Sequence, residues 1–99
     1  MSAVYSINEI KTTLNPIFKE QGVNKAILFG SYAKGSADEK SDIDILVDSG
    51  LKGFAFFGLL ELVSTALSVP VDLIDVRQVE KGSQVDNEIR KSGLVLYEQ

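Results

Sequence analysis

The stretch Ser41-Asp42-Ile43-Asp44-Ile45-Leu46-Val47-Asp48 alternates acid and aliphatic, a rhythm that dictates a strand with two unlike faces. Successive side chains on a strand point to opposite sides, so Asp42 and Asp44 share one face while Ile43, Ile45 and Val47 share the other. The aliphatic face can bury in a core; the acidic face cannot. Two carboxylates ~5 Å apart at an effective dielectric of about 20 repel by roughly 3 kcal/mol, and a cation is the simplest way to offset that. Magnesium suits the position: it takes hard carboxylate and phosphate oxygens and retains waters, so it needs few protein ligands. A nucleoside triphosphate would supply the remaining oxygens. Taken alone, alternating acids fit the wet face of an edge strand equally well, so the residues upstream decide.

Upstream stands Ala26-Ile27-Leu28-Phe29-Gly30-Ser31-Tyr32-Ala33-Lys34-Gly35, an apolar run entering a turn of small residues, with ten residues between Ser31 and Asp42. At Gly30 the backbone can turn sharply and admit a close ligand. Ser31 is placed to cap a short helical turn over Tyr32-Ala33-Lys34 and to offer its hydroxyl and nearby N–H groups to an anion. A bare Gly-Ser is a weak motif; followed by a carboxylate pair on a second strand, it becomes specific.

The pattern Gly30-Ser31, ten residues, Asp42-Ile43-Asp44 resembles the signature of the DNA polymerase beta superfamily of nucleotidyltransferases. Its short length points to the minimal nucleotidyltransferases (MNT), which pair with HEPN-domain toxins in prokaryotic toxin–antitoxin systems. The resemblance implies an α/β (α+β) fold, a small mixed β-sheet flanked by helices. It also implies a third carboxylate on a later strand, where Val71-Asp72-Leu73-Ile74-Asp75 offers two. Three apart on a strand, these two face opposite ways, and only one can join the pair. The family pattern of aliphatic, acid, aliphatic, aliphatic matches Asp72, which leaves Asp75 as a solvated or capping acid. Lys34 stands where relatives often carry arginine, and a lysine contact to phosphate is less directional.

By the same resemblance, two magnesium ions bound by Asp42, Asp44 and Asp72 would assist an in-line displacement at the alpha-phosphorus of ATP. Gly30 and Ser31, with Lys34, would hold the beta and gamma phosphates, and Asp72 is the best placed acceptor for the attacking hydroxyl's proton. The acceptor would be a tyrosine of the HEPN ribonuclease, silenced by adenylylation. Two other readings stay open: a binding antitoxin that neutralises its toxin by complex formation alone, and a transferase for a small-molecule or polynucleotide acceptor.

Composition narrows the choice. At 99 residues the chain reads as a single domain over 1–99, able to bury somewhat over roughly 60% of its unfolded surface without a disulfide or structural metal. With no cysteine and no histidine, zinc sites, Cys–His nucleophiles and Ser–His–Asp triads are excluded. A net charge of -4 disfavours direct nucleic-acid binding, which needs a basic surface. The opening Met1-Ser2-Ala3-Val4-Tyr5 lacks the charged and apolar regions of a secretory signal, so the cytoplasm is expected.

The remaining chain alternates helix and strand. Ser6-Ile7-Asn8-Glu9 forms a capping box ahead of Ile10, Leu14, Ile17 and Phe18 at helical spacing, with Gly22 as the stop and Pro16 expected to kink or split the helix. Strands are expected at 26–29, 43–47 and 71–76, and helices at 54–67 and 83–92, with Val85 and Ile89 turned inward. Leu94-Val95-Leu96-Tyr97 suits a last strand or an apolar tail. The 54–67 helix is apolar nearly all round, too short for a membrane, and calls for burial on both sides. A small domain covers one side easily; the surplus suits a partner surface or a homodimer seam.

Overall fold

The computed structural model describes residues 4–99; the reading of the chain's opening as free of a signal rests partly on Met1 to Ala3, which lie outside the described residues. Four strands form one sheet in the order β3-β2-β1-β4. They are β1 (Lys25–Phe29), β2 (Ile43–Asp48), β3 (Val71–Asp75) and β4 (Leu94–Glu98), and the helices are α1 (Ile7–Glu20), α2 (Gly30–Lys34), α3 (Phe54–Ala66) and α4 (Gln84–Ser92). β1 runs antiparallel to both β2 and β4, while β2 and β3 are parallel. The mixed sheet follows from the connections, since antiparallel neighbours need only a short link, whereas the β2–β3 pair needs the α3 crossover. The segment 94–98 is a strand, not a tail.

Register assigns each face its task. Leu28 opposes Ile45, which lies beside Leu73; one position along, Phe29 opposes Asp44, which lies beside Asp72. The Ile43, Ile45 and Val47 side is fully buried in one core with Ile10, Leu14 and Phe18 of α1 and Leu59 and Val63 of α3. Such side chains contribute about 1.5–3 kcal/mol each when fully buried. The opposite side carries the acids, and α4 covers its remainder, approaching β1 so closely that a Cβ on Gly93 would stand 2.9 Å from the Ile27 side chain.

Local chemistry explains the helix ends. Glu9 N–H donates to the Ser6 hydroxyl at 3.0 Å and Ser6 N–H to the Glu9 carboxylate at 2.8 Å, a complete capping box worth about 1 kcal/mol. α1 continues unbroken through the exposed Pro16, so splitting does not occur. α3 departs from its expected burial: only Leu59 and Val63 are buried, and Phe54 is 94% exposed, Phe57 63% and Leu62 41%. It lies on the core by one face and presents the other to solvent. Among the described residues no helix is long and apolar enough to cross a membrane.

Candidate functional site

Parallel pairing of β2 with β3 sets Asp44 directly beside Asp72, strands apart by the ordinary sheet spacing of about 4.8 Å. Asp42 stands one residue ahead of β2, exposed. The loop leading to it is held by Asp38, whose N–H donates to the Ser41 hydroxyl and whose carboxylate accepts from Lys40 N–H, both at 2.9 Å. Asp44 is half-buried, and its carboxyl is pushed up to about 6, first by burial and then by the like charges of Asp72, Asp42 and Glu88. Both Asp42 and Asp72 act on Asp44, Asp72 the more strongly.

Asp75 is on the other face, in register with the buried Val47. It is 3% exposed and accepts hydrogen bonds from the Ser49 hydroxyl and N–H and from Arg77 N–H. Burial alone would raise its carboxyl, but these donors hold it below the usual carboxylate range. It caps the turn at Val76–Gln78, so the capping role is observed and the solvated one is not.

Gly30 opens α2 at φ +74°, and a Cβ there would run into the Asp44 carboxylate, 3.1 Å from its Cγ. The close approach at this glycine is thus already made inside the protein, by the carboxylate. Ser31 is not the cap of α2: the N-cap is Phe29, in extended conformation and without a side-chain cap. Cap position is decided by where the backbone leaves the strand, and here it leaves one residue before the glycine. Ser31 therefore lies within the first turn, among N–H groups that have no intrahelical acceptor, with its hydroxyl not spent on capping. Lys34, at the far end of α2, pairs with Glu88 of α4 at 3.2 Å.

Glu88 is the residue that sequence reasoning misses. It is on α4, touches Lys34 and raises Asp44, and nothing in its own neighbourhood of the chain marks it apart from other polar positions on that helix. Between α2 and α4 lies a cleft of about 570 Å³ lined by Lys34, Gln84, Asn87, Glu88, Lys91 and Ser92. The acids, the Gly30-Ser31 turn, Lys34 and this cleft thus lie in sequence on one side of the sheet.

A hard divalent cation suits this donor set, since every candidate ligand is a carboxylate oxygen and the like charges that add to the effect of burial on Asp44 would be relieved by a cation. Among the described residues no three acidic side chains converge into a preformed cage. Magnesium does not need one, because waters and phosphate oxygens complete its shell.

Comparison with known proteins places this geometry. The family described as Polymerase beta, Nucleotidyltransferase matches residues 12–99. A candidate protein adenylyltransferase of Methanocaldococcus jannaschii is 39% identical over 77 residues, 75% of this chain and 82% of the relative. The protein adenylyltransferase MntA of Thermococcus cleftensis is 37% identical over 89 residues, covering 81% of this chain and 87% of its own length. Among solved structures, a chain of a toxin–antitoxin crystal structure with AMP-PNP is similar at a TM-score of 0.75 and 26% identity, over 90% of this chain and 73% of that one. A chain from the complex of tri-AMPylated Shewanella oneidensis HEPN toxin with MNT antitoxin shares the fold at a TM-score of 0.70 and 23% identity, over 94% and 73%. With a match across nearly its whole length and relatives this similar, the chain belongs to the polymerase beta nucleotidyltransferase family.

Proposed function

We propose that this protein is an antitoxin that transfers AMP from ATP to a tyrosine of a cognate HEPN toxin, using Asp42, Asp44 and Asp72. One observation carries the reading: the Gly30-Ser31 turn folds directly onto Asp44, and Asp44 stands in register with Asp72. Phosphates held at the turn would therefore present the alpha-phosphorus to the carboxylates. The relatives named as protein adenylyltransferases and the fold's recurrence in HEPN complexes support a protein acceptor. The net charge of -4 argues against a polynucleotide one.

In the reaction the tyrosine oxygen bonds to the alpha-phosphorus as the bond to the bridging oxygen breaks, and pyrophosphate leaves. The N–H groups at the start of α2 and the Ser31 hydroxyl bind the beta and gamma phosphates. Lys34 exchanges Glu88 for phosphate oxygens. Asp72, exposed at the strand edge, accepts the tyrosine proton. Asp42, Asp44 and Asp72 would hold the magnesium, two ions in the full form of the site, which supplies positive charge against the phosphates and the developing phenolate. This chemistry suits the cytoplasm, where ATP and the toxin's RNA substrates occur together.

Intact-mass spectrometry of the toxin after incubation with this protein, ATP and magnesium tests the proposal. An AMP-sized increment that disappears with Asp44→Asn is expected. Toxin neutralised without a mass change, and equally by Asp44→Asn, would replace it with the binding antitoxin.

A further inference from the structure

We infer that the outer face of α3 is a homodimer seam, on which a second copy of this chain packs antiparallel with its own α3. The face consists of Phe54, Phe57 and Leu62, exposed by 94%, 63% and 41%, around the small residues Ala55, Gly58 and Ala66. Its one hydroxyl near the centre, on Thr65, is already satisfied by Glu61 O at 2.9 Å and Leu62 O at 3.2 Å. Covering it therefore strands no donor.

Gly58 sets the geometry. It occupies a helix interior, where glycine is unfavourable, yet a Cβ there would meet nothing within 4 Å. None of the described residues requires it to be small. At 100° per residue, Phe54, Gly58 and Leu62 form one row with the glycine in the middle. A two-fold axis between the two Gly58 residues thus lays Phe54 of each copy on Leu62 of the other, with the helices brought close by the two glycines. The same operation carries Glu61, an exposed residue of this face one turn from Gly58, to within a turn of the exposed Lys52 of the other copy, so each carboxylate meets an ammonium. Isologous pairing of this kind is the commonest arrangement of homo-oligomers.

Position and area favour a second copy over the toxin. α3 packs on the Ile43, Ile45 and Val47 side of the sheet, whereas Asp44 and Asp72 lie on the other. A tyrosine reaching the carboxylates approaches from the side away from α3, an argument that rests on the transfer reading. With aromatic side chains worth 150–250 Å² each, the exposed apolar residues and the stems of Lys52 and Glu61 from two copies cover at most about 1,000 Å², the range of weak, dissociating interfaces. The expected state is a dimer that dissociates on dilution.

Sedimentation equilibrium of the full chain, 10.8 kDa per copy, should show mass rising toward twice that value with concentration. Phe54→Asp should hold the mass at one copy with unchanged circular dichroism. Gly58→Leu is the sharper test: the side chain has room in the monomer and improves helix propensity, so thermal stability of the monomer should hold or rise while dimerisation is lost. Toxin adenylylation is read separately by mass, and both variants should retain it. A wild type monomeric at every concentration, or a dimer that survives both substitutions, overturns the inference. So does loss of toxin capture by Phe54→Asp, which would give this face to the toxin.

Discussion

Asparagine at position 44 keeps the shape of the side chain and removes its charge, so Asp44→Asn separates what the carboxylate does for chemistry from what it costs the fold. The native carboxyl is raised from 3.8 to about 6, a displacement of about 2 pH units at 1.36 kcal/mol each. Asp44 is partly exposed, and solvent screening reduces the effect to about 1–2 kcal/mol. The sign follows from proton binding. Below pH 3.8 both folded and unfolded forms are protonated and nothing is lost. Between 3.8 and about 6 the unfolded carboxyl ionises first, the native one follows against burial and repulsion, and stability falls as the pH rises. Above that window wild type carries the whole penalty and Asp44→Asn carries none. At pH 7.5 without divalent cations the variant should melt roughly 5–10 °C higher, since 1 kcal/mol moves a domain of this size by about 4–8 °C. Melting curves from pH 4 to 8, followed by circular dichroism in EDTA, measure it. Magnesium with a non-hydrolysable ATP analogue should then raise wild type and leave the variant nearly unmoved. A variant that melts at or below wild type at pH 7.5, or shows the same slope across the window, refutes the reasoning.

Three other substitutions have definite outcomes. Gly30→Ala puts a side chain at φ +74°, costing about 1–2 kcal/mol, and drives its methyl into Asp44, so stability and transfer should both fall. Gly35→Ala, at the same φ but with nothing within 4 Å, should lose only the conformational part, and turnover per folded molecule should stay level in a radiolabelled transfer assay. Asp75→Ala leaves the donors of the buried Ser49 unpaired and should destabilise by about 1–3 kcal/mol in urea titration, whereas Asp72→Ala removes a like charge from beside Asp44 and should melt no lower than wild type while losing transfer. Glu88→Gln should change stability by no more than about 1 kcal/mol and move the Asp44 titration to lower pH, read from carboxyl carbon shifts by NMR.

Period and capping were legible because they are local. The alternation of Asp42 to Val47 needs only the geometry of a strand, and it correctly separated the faces of Asp72 and Asp75. Ser6 and Glu9 satisfy each other within one turn. Ser31 misled because a cap depends on where the chain leaves the strand, which Phe29 decides by its extended backbone. The composition of α3 announced an apolar helix and not what lies against it, so solvent on the Phe54 side was invisible. Glu88 reaches Asp44 only through the docking of α4 on the sheet, a contact that no short window contains.

The acids at this site come from pairings of very different sequence separation. β1 and β2 form a hairpin that brings Gly30 onto Asp44 as soon as that stretch is available, and closing so short a loop is cheap. Asp72 arrives only when the chain has completed α3 and laid β3 parallel to β2. Such long-range pairing comes late because its entropy must be met before any contact rewards it. Asp44 and Asp72 are therefore joined by a long-range pairing, and Glu88 on α4 reaches Asp44 from further along the chain still. The Gly30 turn and Asp44 are thus joined by one local pairing, whereas Asp72 joins them only through the α3 crossover.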